Sequence, residues 1–116
     1  MAYHFDPHKR GTTFLGHDFE LTEEDNTPVS LIGASIKMQV RKSAETPVVL
    51  EWKTADGSIE IMGASNNIIH LHAKSAAAMN IEPGKYVYDV MVTDADGVRT
   101  PYVEGFFTII NAVTRD

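Results

Sequence analysis

The chain has 116 residues, 43% of them apolar and 22% charged, with no cysteine. That is the size of one domain with one core, too short for a Rossmann dehydrogenase, a TIM barrel or a kinase; the missing thiols exclude disulfide scaffolds, cysteine-ligated zinc and thiol nucleophiles. Ten Lys and Arg against sixteen Asp and Glu give a formal net charge of −6, and the charges are scattered, so a phosphate backbone is repelled and no nucleic-acid partner is expected.

Residues 1–11 are polar and non-periodic and read as an N-terminal arm ahead of a β-sandwich domain over 12–116. Tyr3 and Phe5 alternate on one face of an extended segment, Asp6-Pro7 opposes helix, and Gly11 provides a hinge. Tyr3 and Phe5 are therefore the expected interface residues. Ordering the backbone costs roughly 1–2 kcal/mol per residue, so an arm this short is expected to order only against a neighbouring chain. The arm has no apolar run of signal-peptide length, and no stretch of the chain approaches the roughly 20 apolar residues of a membrane span. A soluble protein without an export signal and without a membrane partner is expected.

Strands follow almost throughout. A first is expected over 13–21. In Ala34-Ser35-Ile36-Lys37-Met38-Gln39-Val40-Arg41 apolar residues fall on every second position, the mark of a half-buried strand. Further strands are expected over 48–53 and 58–61. Ile69, Leu71 and Ala73 share a face opposite His70 and His72; Tyr86, Tyr88, Val90 and Val92 share another; a last strand covers 102–110. Turn signals separate them: Glu24-Asp25-Asn26-Thr27-Pro28, Ala55-Asp56-Gly57-Ser58, Gly63-Ala64-Ser65-Asn66-Asn67 and Asp94-Ala95-Asp96-Gly97. Only 74–80 reads as helical, one or two turns with Ser75 as cap and Pro83-Gly84 as stop. About seven short strands predict an antiparallel sandwich or barrel with one short helical turn. The expected core includes Ile36, Met38, Val40, Trp52, Ile69, Leu71, Tyr88, Val90, Phe107 and Ile109.

The residues that carry chemistry elsewhere do not assemble into a motif here. His70-x-His72 puts two imidazoles on one strand face, a spacing metal sites use, yet a solvent-facing pair is the better expectation; His4 and His8 join only if the arm folds back, and the register of His17 is open. Glu23-Glu24-Asp25 and Asp94-x-Asp96 match no full calcium loop and read as solvated turns. No nucleophile elbow and no phosphate-cradling loop is present. No catalytic, cofactor-binding or metal-ligating residue is assigned. Trp52 is expected in the core, and Tyr102 and Phe106 alone make a weak platform for stacking sugars. The most informative stretch is Ile81-Glu82-Pro83-Gly84-Lys85-Tyr86. A Pro-Gly turn feeding an aromatic strand is the setting of a tyrosine corner, in which a phenol bonds upstream backbone. Pro83, Gly84 and Tyr86 are the expected structural corner.

Four segments together resemble a known family: Gly11-Thr12-Thr13-Phe14; Pro28-Val29-Ser30-Leu31-Ile32-Gly33-Ala34 leading into Ile36 to Arg41; Pro83-Gly84-Lys85-Tyr86-Val87-Tyr88-Asp89-Val90; and Gly105-Phe106-Phe107-Thr108-Ile109 with Val113-Thr114-Arg115. The chain resembles the small immunoglobulin-like structural domains of tailed bacteriophages and prophages, including the N-terminal domain of baseplate upper proteins, over residues 11–115. The resemblance implies an all-β, antiparallel immunoglobulin-like sandwich that is not an enzyme and takes no cofactor. It implies a baseplate, tail, neck or head component whose partners are itself, as a homo-oligomer, and other virion proteins, placed in the virion or in the bacterial cytoplasm during assembly. The alternatives are a ligand-binding sandwich such as a carbohydrate-binding module and a small metal-dependent enzyme.

Overall fold

A computed structural model describes residues 2–114; Met1 of the arm and Arg115 of the last resembling segment lie outside the described residues. The fold is all-β, with eight strands: β1 (His8–Lys9), β2 (His17–Glu20), β3 (Ser35–Arg41), β4 (Val48–Lys53), β5 (Ile59–Met62), β6 (Ile68–Leu71), β7 (Gly84–Thr93) and β8 (Arg99–Ile110). They form a five-stranded sheet in the order β1-β8-β7-β3-β4 and a three-stranded sheet in the order β2-β6-β5. The larger sheet is mixed: β1 runs parallel to β8 while the other pairs are antiparallel. This corrects the expected all-antiparallel arrangement of seven strands, and the extra strand comes from the arm.

The alternation read in the sequence sets the two faces. Along β7 every second residue from Tyr86 to Val92 is buried, and β3 buries Ile36, Met38 and Val40 in step with it. Register places Met38 between Trp52 on β4 and Val90 on β7. All ten residues expected in the core are buried, joined by Phe14, Phe19, Leu21, Leu31, Ile59 and Met79 from the smaller sheet and the loops. Trp52 ties the sheets together, its indole N–H donating to the His72 carbonyl at 2.9 Å.

Two local departures have physical causes. The strand expected over 13–21 is broken: Phe14 makes a single bridge to Lys74, and pairing resumes at His17. Gly16 lies between them at φ +102°, where a Cβ would stand 2.9 Å from the Leu71 carbonyl oxygen, so the chain turns where only glycine fits. The segment 74–80 forms one turn rather than a helix, closed by Met79 N–H to Ser75 C=O and by Ala78 N–H to the Ser75 hydroxyl. Buried Met79 anchors it. A separate 3-10 turn lies at Thr54–Asp56.

Candidate functional site

The arm builds a dense polar and aromatic arrangement, and β8 provides its seat. Tyr3 N–H donates to the Glu104 carbonyl and Phe5 N–H to the Phe106 carbonyl, both at 3.0 Å, and Arg10 N–H donates to Ile110 at 2.8 Å. The Tyr88 hydroxyl donates to the Tyr3 carbonyl at 2.6 Å. Burial, with a smaller contribution from Tyr3, pushes the Tyr88 phenol well above its ordinary value, so it stays a donor. Phe106 N–H donates to His4 Nδ1 at 3.1 Å.

Beneath these bonds lies an aromatic nest. The Phe5 ring meets Phe19, Tyr88 and Phe107 with centroids 5.9, 5.2 and 4.9 Å apart. His17 is surrounded by Tyr3 and Phe5 at 4.9 Å and Phe19 at 4.6 Å. Burial lowers the His17 pKa, opposed by the nearby Asp18 carboxylate. Tyr3 and Phe5 thus pack on their own chain's core, and β8 of the same chain supplies the edge that the sequence reading assigned to a neighbour. The reason is reach: the arm leads into Phe14 and β2 beside this edge, so the nearest unpaired backbone is its own.

At the corner, the Tyr86 hydroxyl donates to the Glu82 carbonyl at 2.5 Å, spanning Pro83 and Gly84. Here the chain has just crossed from β6 in the smaller sheet to β7 in the larger one.

His70 and His72 lie side by side, ring centroids 4.9 Å apart. His70 Nδ1 on β6 faces Asp18 Oδ1 on β2, and His72 Nε2, one residue past β6, faces Glu60 Oε1 at 2.5 Å. Both pairs are substantially exposed and are worth about 1 kcal/mol at most. His8 Nε2 lies 2.9 Å from the Thr12 carbonyl. Among the described residues no group of three His, Asp or Glu is arranged to hold a metal ion. Asp25 accepts from Thr27 N–H, and Asp94 from the amides of Asp96 and Val98, so these carboxylates shape turns. Phe106 is 37% exposed, and its ring is already engaged by the His4 ring at 5.0 Å and the Lys85 ammonium at 4.0 Å.

One further surface stands out at the end of the larger sheet. Ile32 and Val98 are 71% and 57% exposed and line, with Ala34 and Tyr102, a depression of about 110 Å³. Comparison with protein-family models, with curated proteins and with solved structures finds no match.

Proposed function

We propose that the protein is a non-catalytic structural or assembly component of a phage or prophage virion, built on an immunoglobulin-like sandwich. The observation that carries this reading is the exposed apolar pair Ile32 and Val98 on one sheet end. Large aliphatic side chains grouped around a depression suit contact with another protein. Ile32 also belongs to one of the segments that resemble the phage domains, which supports the reading. The two-sheet β architecture and the Tyr86 to Glu82 bond across the inter-sheet connection support the immunoglobulin-like assignment.

The test is to induce the prophage of the strain that carries the gene, purify the particles and analyse them by mass spectrometry. Presence at a fixed copy number per particle, reduced in particles from an Ile32→Asp/Val98→Asp strain, is the expected result. Absence from particles, together with binding on a glycan array, would hand the role to a ligand-binding sandwich.

A further inference from the structure

Two histidines join the arm to the sheets, His4 through a hydrogen bond to β8 and His17 on β2 through ring contacts with Tyr3 and Phe5. His4 Nδ1 accepts the Phe106 amide proton at 3.1 Å. A protonated Nδ1 has no lone pair to offer, and its N–H would point at the Phe106 N–H. At His17, half-buried against Tyr3, Phe5 and Phe19, a proton would set a charge among aromatic rings. We propose that the arm is a proton-released latch, docked on β8 while His4 and His17 are neutral and freed when they take up protons.

The groups facing each ring set the balance. Around His17 the arm supplies Tyr3 and Phe5, β2 supplies Phe19 and Asp18, and β6 places Leu71 opposite. Asp18 favours the proton, but desolvation outweighs it and the pKa is lowered. Around His4, β8 supplies Phe106, stacked on the imidazole, and β7 supplies Lys85, whose ammonium lies 4.0 Å from the centroid of that same Phe106 ring. The third arm histidine behaves differently: His8 Nε2 lies against the Thr12 carbonyl, an acceptor that suits either protonation state.

Release has a defined consequence. It uncovers the β8 backbone from Glu104 to Phe106 and the Phe19, Tyr88 and Phe107 rings, while Phe14, bridged to Lys74, keeps the rest of the chain in place. A sheet edge and an apolar floor become available together, the two elements that strand addition uses.

The experiment follows the amide resonances of Tyr3, Phe5 and Phe106 by NMR between about pH 8 and about pH 5, the range in which imidazoles titrate. Gly105→Ala, which displaces the arm at every pH, is the released reference, and the Met38 and Val90 amides report the core. In the wild type the three amides move to the released positions on acidification and the core amides stay. His4→Asn supplies a carbonyl acceptor that does not titrate, and His17→Phe an aromatic ring that does not; the double variant is expected to keep the arm docked, with the released fraction at about pH 5 falling at least about tenfold. Arm amides that hold their docked positions in the wild type at the acid end overturn the proposal. So does a double variant that releases its arm at the wild-type pH. If the double variant is already released at about pH 8, His4→Asn alone decides by the same criterion.

Discussion

A Cβ built on Gly105 would lie 1.8 Å from the carbonyl oxygen of Tyr3, so the arm occupies the space that any other residue would claim. Gly105 sits mid-strand opposite Tyr88, whose hydroxyl passes to that same Tyr3 oxygen. Glycine inside a strand is unfavourable by itself and marks close approach by another backbone. Gly105→Ala should therefore displace the arm around Tyr3 and Phe5 and leave β2 to β8 paired. With the amides of Tyr3 and Phe5 unpaired and the Phe5 ring lost from the nest, stability should fall by about 2 kcal/mol. Denaturant unfolding measures it, and an unchanged midpoint would show that the arm contributes nothing.

Tyr86→Phe removes the bond to Glu82 and keeps the ring. The phenol is 4% exposed as a residue, and its pKa is raised, first by burial and then by Glu82. The expected loss is on the order of 1 kcal/mol, with the Glu82 carbonyl left to water. A wild-type melting temperature would show that the Pro83-Gly84 turn holds the crossover without it.

Much of this was legible beforehand because strand alternation is a property of local sequence. Ile36, Met38 and Val40 could face the same way only in a half-buried strand, and Trp52 at 0% exposure follows from its place with Leu50 on one face. Pairing is not local. Nothing in Tyr3 or Phe5 says whose edge they meet, and an alternating aromatic pair on a short arm fits a neighbour's edge as well as its own. Gly105, read as part of a strand, was the available signal that backbone crosses there. The register of His17 is not readable from its neighbours because Gly16 breaks the strand ahead of it, and the returning arm makes it a half-buried imidazole.

Val90 is fully buried, opposite Met38 on one side and Val103 on the other. Val90→Ala should cost about 1–3 kcal/mol through lost burial and the cavity left in a sheet that cannot close over it. Met38, unbranched and adaptable, is the neighbour best able to fill part of the space. Equilibrium unfolding checks the value; a loss below the range would indicate a loosely packed centre.

His17 also makes global stability depend on pH. Its folded pKa is lowered, first by burial, while in the unfolded chain it titrates near the ordinary 6.5. The unfolded state therefore binds more protons as pH falls through that value, and the stabilisation present above it is lost progressively below it, levelling off once the folded form also titrates. In His17→Phe this contribution disappears, so the denaturation midpoint should change less between about pH 7.5 and about pH 5 than in the wild type. Equal pH dependence in the two proteins would assign the acid sensitivity elsewhere.

The opposite edge of the larger sheet is β4, and Lys74 guards it. Its ammonium donates to the Glu51 carbonyl at 2.7 Å and lies 4.9 Å from the centroid of the Trp52 ring. Farther along, the Ser58 hydroxyl accepts from the Lys53 amide at 2.8 Å and donates to the Asp56 carboxylate at 2.6 Å. Side chains thus satisfy backbone groups that another strand would otherwise bind, and a lysine adds charge where an added chain would lie. Lys74→Met keeps the aliphatic stem over the indole and removes both the donor and the charge. It should cost about 1–2 kcal/mol, the worth of a charge-assisted bond at a partly exposed site. It should also promote association through β4, because the Glu51 carbonyl becomes available on an edge with Val49 exposed beside it. Light scattering at increasing concentration reads the association and chemical denaturation reads the stability. A variant that stays at the wild-type size while losing stability would mean that the Ser58 cap alone is enough to keep the edge closed.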